Sequence, residues 1–219
     1  MGSSLTKEEV NRKLLHILAV ILPVSIFYFP QFTALTNFTV SICSTMLFFV
    51  FLAVDLLRLK NKSFQFIFLR FFGSMMREAE RKQITGATYV AGGASVCSWI
   101  SLLGIVPAAS AFLGLTLFIL GDAVAALVGK SMGRVKIGQK TLEGSIGCFI
   151  FCFLITWLVF PSLPGFLEAW GGPLLIYQVI FLSAAVSLLE LFSIRIGQFC
   201  LNDNLYVPGA VSMLGIYIN

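Results

Sequence analysis

Apolar residues in this chain come in runs close to the length of a bilayer crossing, joined by loops too short to fold by themselves. A hydrocarbon core about 30 Å thick takes about 20 apolar residues to cross as a helix. Hydropathy places crossings at Leu14–Phe29, Phe38–Leu57, Gly86–Leu103, Ala108–Val128, Ser145–Phe160, Pro173–Phe192 and, shorter, Leu205–Ile218. Only 11% of residues are charged and 58% are hydrophobic, where a soluble domain has about 25% charged and a disordered one is more polar still. The fold class is therefore an all-α polytopic integral membrane protein with about seven transmembrane helices, and residues 1–219 form one domain.

The stretch Ser63–Met76 is the exception. Its 14 residues would rise only about 21 Å as a helix, with Arg70 in the middle, so it reads as an interfacial helix. With the N-terminus cytoplasmic, all 15 Lys and Arg then fall on one side, and the opposite loops around Gln31, Gly104 and Gly165 hold none. That is the positive-inside pattern. The first apolar run ends in YFPQF without a small-residue cleavage site, so no cleavable signal peptide is expected. A bacterial inner membrane or an endoplasmic reticulum-type membrane is the expected location, with the chemistry facing the cytoplasm.

The five cysteines, Cys43, Cys97, Cys148, Cys152 and Cys200, form no CxxC pair and read as buried small hydrophobes. A metal centre built on cysteine is not expected.

Acidic and polar residues gather at one depth. Asp55 ends the second crossing, Asp122 lies about two turns inside the fourth, Glu190 nears the inner end of the sixth, and His16 opens the first. Glu143, Asp203 and Asn204 fall in inner loops, and only Glu168 faces outward. A charge within a span is expensive and marks function by default. The outer halves of the spans carry almost no polar residues, which disfavours a transport path.

The segment GDAVAALVGKSMGRVKIGQKTLEGS, Gly121 to Ser145, leaves the fourth crossing, passes glycines among four basic residues and re-enters the membrane. Glycines admit close approach of backbone N–H groups to an anion, lysines neutralise it, and a helix N-terminus at Leu142–Ser145 adds a favourable dipole. These features fit a polyphosphate cradle over about residues 129–145. Asp122 and Glu143 at its two ends suit Mg²⁺ or another divalent cation, which prefers oxygen ligands. A plain topogenic loop explains the same composition. A Walker A loop is excluded, because Val124 stands where its first glycine is needed.

That segment closely resembles the signature of the CTP-dependent lipid kinases: dolichol and polyprenol kinases, phytol kinase and the yeast-type diacylglycerol kinase. RKLLH at Arg12–His16, the pair Asp55 and Arg58, REAERKQITGATY at Arg77–Tyr89 and DNLYVP at Asp203–Pro208 match in the same order. A more distant likeness is to phosphatidate cytidylyltransferase, but that family's PGHGGxxDRxD-like ending is replaced here by LNDNLYVPGA. The resemblance implies Asp122 and Asp203, with Glu143, as catalytic or Mg²⁺-binding acids. It implies Gly129, Lys130, Gly133, Lys136, Lys140, Thr141, Gly144 and Ser145 around the nucleotide, with Arg77, Glu78, Lys82 and Thr85 as a second wall. Arg12, Lys13 and His16 form a third, while Asp55, Glu190 and Asn204 complete the polar set.

The expected reaction is transfer of the γ-phosphoryl of CTP to a lipid alcohol held in the inner leaflet. CTP and that alcohol are the partners. Formation of a CDP-lipid is the alternative, and a lipid or anion transporter stands third. The small residues Gly86, Ala87, Ala91, Gly92, Gly93, Ala94 and Ser95 suit close packing, either inside the chain or across a homodimer.

Overall fold

The computed structural model describes residues 7–76, 78–192, 195–196 and 199–218, and the side chains of these apart from residues 7–10, 195–196 and 199–200. The first apolar run is two helices, α1 (Lys7–Leu18) and α2 (Ile21–Phe32). Pro23 accounts for the break, because a proline has no N–H and its ring crowds the carbonyl four residues back, here that of Ala19. The expected crossing Leu14–Phe29 lies within one apolar helical stretch, Asn11–Phe32, bent at this break, and His16 falls in the last turn of α1.

Helix α3 (Asn37–Lys60) begins at Thr36, whose hydroxyl accepts the Thr39 N–H. Asn61 ends it and caps α4 (Lys62–Phe72) by accepting from the N–H groups of Ser63 and Phe64. The 11 residues of α4 extend about 16 Å, too short to cross, and none is buried. It lies on the surface, as an interfacial helix would. Then come α5 (Gly86–Leu102), α6 (Ala108–Met132), α7 (Leu142–Leu154, continued by a π-turn over Ile155–Val159), the short α8 (Phe166–Trp170), α9 (Ile176–Leu191) and α10 (Asp203–Leu214). Two antiparallel hairpins of two-residue strands interrupt the helices, β1 (Lys136–Ile137) with β2 (Lys140–Thr141) and β3 (Arg195–Ile196) with β4 (Phe199–Cys200).

Four helical stretches among the described residues are long and apolar enough to cross a membrane: Asn11–Phe32, Asn37–Lys60, Ala108–Met132 and Leu142–Ser162. The chain is an all-α membrane protein on that evidence. Of these, α6 is the axle. Its apolar window is 67% buried against 17% for α3, and it packs on α1, α2, α5, α7, α9 and α10. Toward its N-terminal end, Phe112 stacks on Phe27 at 4.7 Å and packs with Phe160 and Phe166.

Two sequence expectations change here. The span ends away from the lysine-rich loops are not free of polar groups: Ser41 meets Ser98 at 2.6 Å, Thr45 meets Ser95 at 2.8 Å, and the Trp99 indole donates to Thr45. These hydroxyls satisfy one another across α3 and α5, as interhelical hydrogen bonds in an apolar setting do. Among the cysteines, Cys97, Cys148 and Cys152 are buried but Cys43 is exposed on α3, and the side chain of Cys200 lies outside the described residues.

Candidate active site

The site is assembled where α1, α6, α9 and α10 bring charged side chains into the bundle. On α1, the Lys13 ammonium donates to Asp122 Oδ2 at 2.7 Å and to the Asp122 carbonyl oxygen at 3.1 Å. His16 Nε2 stands 3.3 Å from the same Oδ2, and its ring packs edge-on to Phe118 one turn along α6. Lys13 and His16 are three residues apart, which puts both on one face of α1. The break after α1 brings that face against α6.

A second group lies beside the first. Lys140 Nζ is 2.5 Å from Asp203 Oδ2 and 3.1 Å from Glu190 Oε1, and it also donates to the Glu190 carbonyl oxygen. Burial works against the charge on Lys140, but Glu190 and Asp203 together outweigh it and hold its pKa above the usual lysine value. Gly121, next to Asp122, packs against Val186 on α9 one turn before Glu190, where an added Cβ would stand 3.3 Å from Val186 Cγ1. The two groups thus form one layer. Three carboxylates face two lysines and a histidine.

Local sequence sets these positions. Asn202 accepts the Asn204 N–H and starts α10 at Asp203, so Asp203 and Asn204 sit in its first turn, not in a loop. A carboxylate there is favoured by the helix dipole. Helix α6 runs on to Met132, so Gly129 and Lys130 belong to its last turn and the loop proper is 133–141, shorter than the 129–145 read from sequence. Gly138, at φ +62°, is first in the two-residue turn joining β1 to β2, a conformation that glycine adopts freely. That hairpin carries Lys140 back toward the bundle and leaves Lys136 exposed.

The remaining expected residues fall in three places. Thr141 caps α7, accepting the Gly144 N–H, while Ser145 and Ser187 exchange hydroxyl and carbonyl hydrogen bonds across α7 and α9. Gly129 and Gly144 face each other where α6 crosses α7, and the Gly133 N–H is taken by the Gly129 carbonyl. Glu143 turns its carboxylate to the Val135 N–H. Asp55 and Thr85 bond to each other at the α3–α5 joint, and Glu78 pairs with Arg81 on the exposed surface next to Lys82. Arg12 is half-buried on α1, and Arg77 lies outside the described residues.

Among the described residues no three His, Cys, Asp or Glu side chains gather as a metal centre. The set Asp122, Glu143 and Asp203 does not converge. Asp122 and Asp203 still offer one carboxylate each, which suits Mg²⁺ completed by water and substrate oxygens. Sequence reasoning missed Asn202 and Thr88. An Asn before DNLYVP is a capping signal, but Thr88 carried none.

A curated protein named CTP-dependent diacylglycerol kinase 1, from Schizosaccharomyces pombe, is 28% identical over 173 residues, which cover 75% of this chain and 73% of that protein. No family model matches, and no solved structure does. The likeness to the fission yeast protein agrees with the resemblance carried by the Gly121–Ser145 segment.

Proposed function

We propose that the chain is a CTP-dependent lipid kinase, a membrane-embedded enzyme that phosphorylates a lipid alcohol with CTP, a reading that the likeness to the fission yeast protein supports. Diacylglycerol is the first acceptor to test, with polyprenol, dolichol and phytol-like alcohols as alternatives. The observation that carries the reading is the layer itself: Lys13, Asp122 and His16 beside Lys140, Glu190 and Asp203, at the basic end of an otherwise apolar bundle.

In this reading the lipid tail stays in the leaflet and its hydroxyl meets Asp122. The hydroxyl oxygen forms a bond to the γ-phosphorus, the bond from that phosphorus to the bridging β–γ oxygen breaks, and CDP leaves with the electron pair. Asp122 accepts the hydroxyl proton, with His16 at 3.3 Å to receive it in turn. Lys13 and Lys140 stabilise the charge spread over the transferring group, since phosphoryl transfer is mostly positioning and charge neutralisation. If a Mg²⁺ ion arrives with the nucleotide, Asp122 or Asp203 would be the carboxylate to hold it, and the ion would supply further charge neutralisation. The one-sided distribution of Lys and Arg supports seven crossings with this layer on the cytoplasmic face.

The test uses purified protein in liposomes with diacylglycerol, polyprenol, dolichol or phytol as acceptor, or with phosphatidic acid, and CTP labelled at the α or the γ phosphate. Lipid carrying γ label is the expected product. Label from the α position would support CDP-lipid formation, and no labelled lipid in any combination rejects both enzymes.

A further inference from the structure

The pair Asp55 and Arg58 near the end of α3 stands apart from the lysine–carboxylate layer. Asp55 is 2% exposed and Arg58 0%. Asp55 Oδ1 accepts from Arg58 Nε at 2.6 Å, and Oδ2 accepts from the Thr85 N–H at 2.8 Å, the Thr85 hydroxyl at 2.9 Å and the Thr88 hydroxyl at 2.6 Å. Arg58 spends its other groups on the carbonyl oxygens of Glu80 at 2.8 Å and Gln83 at 2.5 Å, and its guanidinium lies over the Phe68 ring at 5.5 Å. One ion pair therefore ties α3 to α4, to the 78–83 turn and to the first turn of α5. Thr85 makes no side-chain cap on α5, because Asp55 holds its hydroxyl.

That end of α5 is the seat of α10. The Gly86 carbonyl accepts from Asn204 Nδ2 at 3.4 Å, and the Gly86 N–H donates to Glu80 Oε1 at 2.9 Å. A Cβ on Gly93 would stand 2.4 Å from the Asn204 carbonyl oxygen, so α10 rests directly on α5 there, and Gly92 faces Leu205 in the same way. Asn204 follows Asp203, whose carboxylate holds Lys140.

We infer that Asp55 and Arg58 are positioning residues for phosphoryl transfer, fixing the height and rotation of α5 and through it the placement of Asp203 against Lys140. The inference rests on the kinase reading. One residue of slippage turns a helix by about 100° and moves it about 1.5 Å along its axis, while a misplacement of about 1 Å suffices to slow catalysis about a hundredfold. A purely structural rivet would change stability alone.

The test uses the full chain in liposomes with CTP and diacylglycerol. Asp55→Asn risks unfolding, so Thr88→Val, which removes one donor to Asp55 at constant shape, is the main probe. The expected result is a kcat lowered by about tenfold with KM for CTP within about twofold, alongside a small fall in Tm for the lost hydrogen bond, with Thr88→Ser restoring both. Asn204→Ala should lower kcat similarly, and combining it with Thr88→Val should add little, because both act along one line of contacts. Losses that multiply in the double variant, or a lower Tm with normal kcat, overturn the inference while leaving the kinase reading intact. A wild-type chain that transfers no phosphoryl group to diacylglycerol, polyprenol, dolichol or phytol overturns both.

Discussion

Lys13 on α1 holds Asp122 on α6 by side chain and backbone at once, at 2.7 Å to Oδ2 and 3.1 Å to the carbonyl oxygen. An acid held in this way has its position fixed at two points by the same lysine. Asp122→Asn keeps the shape and removes the charge, so it should reduce lipid phosphorylation by at least about a hundredfold while the protein stays monodisperse in detergent. Lys13→Met should fall nearly as far. Lys13→Arg should not restore the rate, because a planar guanidinium does not replace a compact ammonium that reaches two oxygens from one point. Near-normal turnover of Asp122→Asn would remove Asp122 from the mechanism.

Lys140 answers to pH in a definite direction. Burial disfavours its charge, yet Glu190 and Asp203 hold its folded pKa above its ordinary 10.5. A group with a raised folded pKa contributes its full stability below the unfolded value and loses it only as pH rises through the folded one. Lys140 therefore stays charged through the neutral and mildly alkaline range. Lys140→Met should lower the melting temperature by the same amount at about pH 6 and about pH 9, and a decline of activity across that window should survive in Lys140→Arg. A stability loss that appears at one pH only would contradict this.

The fold was legible where a long apolar run makes one helix by itself. The runs under α3, α5 and α6 announce themselves by hydropathy, and the interfacial character of α4 follows from its length and its Arg70. Less legible was anything decided by a partner distant in sequence. Sequence places Asp122 at one depth with His16 and Glu190, but its hold by Lys13 depends on the bend that Pro23 imposes between α1 and α2. The pairing of Glu190 with Lys140 is hidden in the sequence, because Lys140 returns to it only through the Gly138 turn. Thr141, Gly144 and Ser145 carry the family signature, and their contacts lie in the α7 cap and the α6–α7–α9 seams, which sequence spacing cannot register. The odd count of cysteines pointed to inert thiols, but not to Cys43 facing outward.

Glycines in α5 and α10 should respond oppositely to the same substitution. At Gly93 a new Cβ meets the backbone oxygen of Asn204 at 2.4 Å, which cannot rotate away, so Gly93→Ala should destabilise the protein by about 1–3 kcal/mol and slow transfer by displacing Asp203. At Gly209 the nearest atom is Val96 Cγ1 at 3.5 Å, an ordinary contact within a helix. Gly209→Ala should raise stability by up to about 1 kcal/mol through helix propensity. Thermal unfolding in detergent, followed by circular dichroism, separates the two; equal effects would mean that α10 does not rest on α5 as described.

Breaking the Asp55–Arg58 pair from one side should be worse than removing both charges. Arg58→Met leaves a carboxylate that is 2% exposed without its cation, a change that typically costs about 3–5 kcal/mol. It also frees the carbonyl oxygens of Glu80 and Gln83 from their donors and takes the cation away from the face of Phe68. Replacing both members by apolar residues, Asp55→Leu with Arg58→Met, removes the uncompensated charge. Recovery should still be incomplete, because the Thr85 N–H and the Thr85 and Thr88 hydroxyls lose their common acceptor. The expected order of melting temperature is wild type, then the double variant, then Arg58→Met, and a double variant no more stable than Arg58→Met would show that the hydrogen bonds to Asp55, not its charge, hold the joint.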